Sequence, residues 1–369
     1  MPLSQIQPQN YIALLEEKVA RVCLLMAPFS PPEPQIYPSS PVGFRLRAEF
    51  RVWHDEEDIN YVMFAREDPK TPVVVTSFVI ADARIQHLMA TVLARIKTNI
   101  ILRHRLFQIE FLASLSGDLV LTLIYHRKLD DAWDSEAQQL AEQLQAVDST
   151  LSVVGRSRKQ KRVIGQDFVR ERLSIHGTDY HYRQYEQAFS QPNGGVNICM
   201  IEWACDQAAS LNGDLLELYC GNGNFTLPLA QYFDNIIATE LSKTSIRAAH
   251  VNLEENAIEN VHVVRLAAEE VTQAINNERT FRRLRDIPKP LSEFDLRTLF
   301  IDPPRAGLDD RTIDMARHFE NIFYVSCNPQ TLALNLQSLS TSHSIKRFAL
   351  FDQFPYTHHM ECAVLLQKI

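Results

Sequence analysis

The sequence has little glycine, few cysteines and no long hydrophobic run. Eleven glycines in 369 residues exclude a glycine-rich, low-complexity chain. No apolar stretch reaches the roughly 18–20 residues that a membrane-spanning helix needs. The opening MPLSQIQPQN has neither a basic start nor an apolar core, so no secretory signal is expected, and a cytoplasmic protein is. The six cysteines, Cys23, Cys199, Cys205, Cys220, Cys327 and Cys362, form no CxxC pair. This excludes a zinc ribbon or an iron–sulfur cluster on closely spaced ligands. Without an oxidising compartment, a disulfide framework is not expected either.

Positive charge is also in deficit. Lys and Arg number 37 against 45 Asp and Glu, a net charge of -8, which argues against a generic nucleic-acid binder. The deficit is uneven. Residues 1–200 carry 22 basic and 23 acidic side chains, whereas residues 201–369 carry 15 and 22. A basic face is therefore expected in the N-terminal half.

What is present divides into two textures. Tyr11, Leu15, Val19, Val22 and Met26 share one helical face. A proline-rich linker follows over 28–41. Residues 44–53 then alternate strictly, with Phe44, Leu46, Ala48, Phe50 and Val52 on one side and Arg45, Arg47, Glu49, Arg51 and Trp53 on the other. That predicts a half-buried strand with an Arg-rich outer face. Strands at 60–65, 72–80, 106–112, 119–126 and 151–154, with helices at 83–97 and 133–146, predict an α+β domain. The run Arg156-Ser157-Arg158-Lys159-Gln160-Lys161-Arg162 holds five cations and no acid. It could be a solvated loop or a phosphate contact. From about residue 195, short apolar strands alternate with helical stretches: 215–219, 236–239, 261–266, 298–301, 322–326, 346–352 and 362–367. This is the pattern of a doubly wound, mostly parallel sheet, whose ligands bind beyond the carboxyl ends of the strands. The boundary between the two domains is placed at 185/186, with the N-terminal helix a candidate to pack on the second.

The chemistry is sought at those strand ends. Glu217-Leu218-Tyr219-Cys220-Gly221-Asn222-Gly223-Asn224-Phe225 gives a tight loop before a helix. It lacks the third glycine of a dinucleotide fingerprint. Glu240 closes the next strand, where an acid can bind ribose hydroxyls. Loop and acid together resemble the S-adenosylmethionine (SAM) site of Rossmann-like methyltransferases. Asp302-Pro303-Pro304-Arg305 ends another strand, its prolines stiffening the turn. Cys327, in Ser326-Cys327-Asn328-Pro329, lies between a strand and a helix N-terminus, where a lowered pKa and a nucleophilic thiolate are expected. Glu361 is a candidate base at the sheet edge. His358, His359, Glu361 and Cys362 fit no metal spacing.

The strings Q-P-N, E-L-Y-C-G-N-G-N-F, D-P-P-R-x-G-L-D, S-C-N-P and F-P-Y-T-H-H-M-E-C, in this order, resemble the SAM-dependent RNA 5-methyluridine methyltransferases. R-A-E-F-R-V-W-H-D and L-Y-H-R-K-L-D-D resemble the branch that acts on tRNA. The ribosomal branches usually carry a cysteine-ligated cluster, and a single cysteine before residue 199 speaks for the tRNA branch. The resemblance implies methylation of uracil C5 at position 54 of the T-loop and leaves tmRNA open as a second substrate. It makes Cys327 the nucleophile and Glu361 the proton acceptor. It places Gln191, Tyr219, Asn224, Glu240 and Asp302 around SAM. Arg45, Arg47, Arg51, Trp53, Phe107, His126, Arg127 and Lys128 become candidates for RNA contacts, with Phe107 and His126 as stacking platforms and Arg51 beside them. No metal, membrane or obligate protein partner is expected. The alternatives are a ribosomal-RNA methyltransferase of the same family, a non-catalytic tRNA-binding or folding protein, and a small-molecule methyltransferase.

Overall fold

The computed structural model describes residues 6–56, 58–64, 68–276 and 278–369. Two sheets dominate. Strands are numbered along the chain, beginning with β1 at Gln35–Tyr37. The first large sheet contains β2 Arg47–Asp55, β3 Asp58–Phe64, β4 Pro72–Val74, β5 Leu106–Ala113, β6 Leu119–Tyr125, β7 Leu151–Ser157 and β8 Gln160–Ile164, in the order β4-β3-β2-β5-β6-β7-β8. It is antiparallel except where β6 and β7 run parallel, joined by the helix Asp131–Gln145. The alternation of β2 is as expected: Ala48, Phe50 and Val52 are buried, and Glu49, Arg51 and Trp53 are exposed.

The predicted strand at 72–80 stops at Val74. Beyond it the chain leaves the sheet, because its backbone bonds turn elsewhere: Val79 O and Ile80 O accept from Gly43 N and Arg45 N. Val75, Phe78 and Ile80 stay buried, so the apolar pattern marks burial of this segment rather than a longer strand.

A hairpin of β9 Phe168–Ile175 and β10 Thr178–Tyr185 follows. Leu173, Ile175, Tyr180 and Tyr182 share a core with the second sheet. That sheet comprises β11 Asp214–Leu218, β12 Ile236–Thr239, β13 Val261–Val264, β14 Leu296–Ile301, β15 Asn321–Ser326, β16 His343–Phe351 and β17 Glu361–Lys368. Its order is β1-β16-β17-β15-β14-β11-β12-β13. Neighbours from β15 through β13 are parallel, and β17 runs antiparallel between β15 and β16. The mostly parallel, doubly wound sheet expected of a Rossmann-like methyltransferase is present.

Two pieces from the start of the chain join this second sheet. β1, inside the proline-rich stretch, pairs parallel with β16. The helix Tyr11–Met26 buries Tyr11, Leu15, Val22 and Met26 in the same core as Leu336, Leu339 and Val364. Each fully buried Leu or Met contributes roughly 1.5–3 kcal/mol. Among the described residues no helix is long and apolar enough to cross a membrane.

Candidate active site

The carboxyl ends of β11, β12, β14 and β15 meet at one edge, as parallel strands require. After β11 the backbone turns through left-handed conformations at Tyr219 (φ 63°), Gly221 (φ 58°) and Gly223 (φ 88°). A Cβ on Gly223 would lie 2.5 Å from Leu227 Cδ1 at a positive φ, so a side chain there would strain the loop and displace Leu227. Tyr219 pays a conformational cost that a surrounding structure must hold in place. The loop is tied to the next strand by Glu240, whose carboxylate accepts from Gly221 N at 3.2 Å and from Leu241 N and Ser242 N at 2.6 Å each. Asn224 lies beside it, but its side-chain amide forms a reciprocal pair with Asn197, at 2.8 and 2.9 Å.

Asp302 follows β14. The turn after it is braced against the helix Pro329–Leu339. Asn328 Nδ2 and Thr331 Oγ1 both donate to Arg305 O, at 3.1 and 3.2 Å. Asn335 Oδ1 accepts from Leu308 N at 3.0 Å and from the Tyr324 hydroxyl at 2.6 Å. Asn328 also caps that helix by accepting from Gln330 N. The asparagine of S-C-N-P therefore locks the D-P-P-R turn to the cysteine beside it.

Cys327 is half-buried between Ser326, the last residue of β15, and the cap Asn328. Ser326 pairs with Cys362 across β17, and Glu361 pairs with Phe351 on the other side. Cys327 and Glu361 thus lie one residue beyond the last β15–β17 pair, at the same sheet edge. Gln191 is drawn in through Gln353, whose Nε2 donates to Gln191 Oε1 at 3.0 Å.

The electrostatics correct one expectation. The Cys327 thiol is not lowered but raised, by burial first and by the charge of Glu361 next, while the Arg305 side chain donates to it and opposes both. A helix N-terminus does not outweigh loss of water. Burial and Asp302 hold Glu361 well above the usual carboxylate range, with Arg305 again opposing. Desolvation raises Asp302 to about 7 although part of its surface reaches solvent. Burial raises Glu217 to about 8, with Thr226 opposing and Asp302 adding. Of these four groups, Cys327 and Glu361 share the Arg305 guanidinium. Arg305 and Glu217 were not singled out from the sequence as site residues, although both stand inside the quoted motifs.

The other candidate surface lies on the first sheet. The Phe107 and His126 rings stack at 4.0 Å with an interplanar angle of 26°. The Arg51 guanidinium lies 4.1 Å from the centre of the Phe107 ring. Three of the other candidate cations are occupied. Arg45 Nε donates to Arg47 O, Arg47 to Ala188 O, and Arg127 to Ile101 O and His104 O. The basic run is a hairpin whose Arg156, Lys161 and Arg162 pair with Glu186, Asp167, Asp131 and Asp134. Its acids come from outside the run, so the sequence window hid them. Nor is the second half free of basic surface: Arg279, Arg282, Arg283 and Arg285 are exposed around a short 3-10 turn.

A family model described as tRNA (uracil-5-)-methyltransferase matches residues 10–369. The chain belongs to that family. A tRNA/tmRNA (uracil-C(5))-methyltransferase from Aromatoleum aromaticum is 49% identical over 100% of this chain and 98% of its own length. One from Pseudomonas fluorescens is 50% identical over 97% and 98%. Among solved structures, Pyrococcus abyssi tRNA (uracil-54, C5)-methyltransferase in complex with S-adenosyl-L-homocysteine aligns with a TM-score of 0.72 at 19% identity, over 97% of this chain and 83% of that one. At that identity the likeness establishes the shared fold.

The family's methyl donor can be tested against the residues present. SAM brings a sulfonium and an ammonium. The carboxyl cluster of Glu217, Asp302 and Glu361 has too little positive charge around it, and Gln353 Oε1 and Glu217 Oε2 are buried acceptors without a partner among the described residues. The two cationic centres of SAM, whose own carboxylate leaves it singly positive overall, supply what these groups lack. The residues fit.

Proposed function

We propose that this protein methylates C5 of a uridine in the tRNA T-loop, at position 54, using Cys327 as nucleophile and Glu361 as base. When bound, SAM supplies an electrophilic methyl group. C5 of uracil is too weak a nucleophile to take it unaided. Addition of the Cys327 thiolate to C6 pushes the C5=C6 electrons onto C5, and Arg305 is placed to stabilise the negative charge that develops. After C5 gains the methyl group, Glu361 removes the C5 proton. The electrons of that bond restore C5=C6 and expel the thiolate. Glu361 must be ionised for this step, so cations entering the carboxyl cluster prepare the base. Tyr219, Glu240, Asp302 and Gln191 hold the cofactor. Asn224 contributes through its loop, since its side chain is held by Asn197.

The observation that carries this reading is the placement of Cys327 and Glu361 at one sheet edge with Arg305 beside both. A target base must leave the T-loop stack to reach them. The exposed stack of Arg51, Phe107 and His126 would receive unstacked bases, and Phe189, 71% exposed and two residues before Gln191, is a second bare aromatic near the cofactor residues. The tRNA-like part of tmRNA presents the same chemistry and is a second substrate in this reading. The setting is the cytoplasm. The test is to map 5-methyluridine in RNA from a host with and without the gene. Loss at position 54 of tRNA supports the proposal. Loss only in ribosomal RNA contradicts it.

A further inference from the structure

The helix Tyr11–Met26 does more than cover the second sheet. Lys18 is the one buried Lys or Arg among the described residues. Its ammonium pairs with Asp352 and donates to Phe354 O at 3.1 Å and His359 O at 2.9 Å. All three of its protons are therefore directed at one segment, residues 352–359. Arg21, one helical turn on, donates to His358 O. Tyr356 of the same segment donates to Pro41 O at 2.6 Å.

That segment has no helix or strand of its own. It carries the chain from the end of β16, Phe351, to Glu361 at the start of β17, and these two residues face each other in register. It also carries Gln353, which reaches Gln191. A loop with few internal bonds that ends on the proposed base needs an outside support. An apolar side chain of equal length would pack the helix as well without the desolvation cost of an ammonium. Such a side chain would not fix three separate acceptors of the loop.

We infer that Lys18 is a positioning residue: it clamps the 352–359 segment so that Glu361 meets the C5 proton after methyl transfer. The inference rests on the reaction proposed above. The clamp acts on proton removal, which comes last, and not on thiolate addition, which comes first. It therefore predicts a step-specific defect.

The experiment uses the full-length protein, a T-arm RNA with and without 5-fluorouridine at the target, SAM, and the variants Lys18→Met and Asp352→Asn. With ordinary RNA, turnover of Lys18→Met should fall by roughly 100-fold, as expected for a misplaced catalytic group, and KM for RNA should fall with it, leaving kcat/KM within about threefold, because the slowed step follows methyl transfer. Methylated RNA should accumulate covalently on Cys327. With 5-fluorouridine RNA, the adduct should form at nearly the wild-type rate. Asp352→Asn, which removes one acceptor charge and little volume, should show the same pattern more weakly, and carries the test if Lys18→Met does not fold. Unchanged turnover would overturn the inference. So would a parallel loss of turnover and 5-fluorouridine adduct, which would mark a purely structural role. If the wild-type protein itself formed no 5-fluorouridine adduct, the reaction would fall and the clamp with it.

Discussion

The two candidate surfaces of this protein are built in opposite ways. At the carboxyl edge of the second sheet, ionisable groups are withdrawn from water. Glu361 and Glu217 are buried, Asp302 and Cys327 partly so, and each has its proton held more tightly as a result. On the first sheet, Arg51 and His126 remain exposed and rest on Phe107. The first arrangement makes chemistry depend on protons and on an incoming cation. In the proposed reading the second would make binding depend on stacking and salt. Dividing the work this way would let an acidic chain handle RNA, because its cations need only be local.

The contrast can be broken at several points. The largest effect should come from Cys327→Ala, which should lower methyl transfer by on the order of 10⁴-fold or more while leaving RNA binding within about twofold; a gel-shift titration beside a methyl-incorporation assay checks both halves. Next is pH. Because the Cys327 thiol is raised and the thiolate is the reactive form, kcat/KM should climb as pH rises through neutrality, by roughly tenfold per unit while the thiol still holds its proton. Affinity for T-arm RNA should instead follow salt. A flat pH–rate profile would contradict the electrostatics of the sheet edge. Smaller again is Phe107→Ala, which should weaken RNA binding by about tenfold, the usual worth of one base stacked on an aromatic ring, with single-turnover methylation at saturating RNA within about threefold of wild type. The smallest change is expected at Arg162, whose guanidinium is already paired with Asp131 and Asp134. Arg162→Ala should leave the salt dependence of binding unchanged, whereas Arg51→Ala should reduce its slope by about one. An equal loss of slope in both variants would mean that the hairpin cations touch RNA after all.

Much of the second sheet was legible in the sequence, because a parallel sheet buried on both faces writes itself as short apolar runs, and the motifs fall where those runs end. Cys327, Asp302 and Glu361 could be named as candidates for the same reason, whereas Arg305 and Glu217 inside the same motifs were not. What one sequence window cannot contain is a partner from elsewhere. Arg45 and Arg47 read as an open basic face, yet each bonds a backbone carbonyl. The run 156–162 read as free charge because its acids lie at Asp131, Asp134, Asp167 and Glu186. Lys18 was not singled out on its amphipathic helix, and its carboxylate partner is 334 positions away. The Cys327 thiol was expected to be acidic from its helix, and burial beside a carboxyl reversed the direction.

The proposed reaction turns on one bond, between Cys327 Sγ and C6 of the target uracil. Fluorine at C5 cannot leave as a cation, so an enzyme working this way should stall on a 5-fluorouridine T-arm RNA in the presence of SAM. Mass spectrometry of the digested complex should then find the methylated nucleotide attached to the peptide containing Cys327, and nothing attached in Cys327→Ala. Full turnover without an adduct, or an adduct on any other residue, would contradict the account.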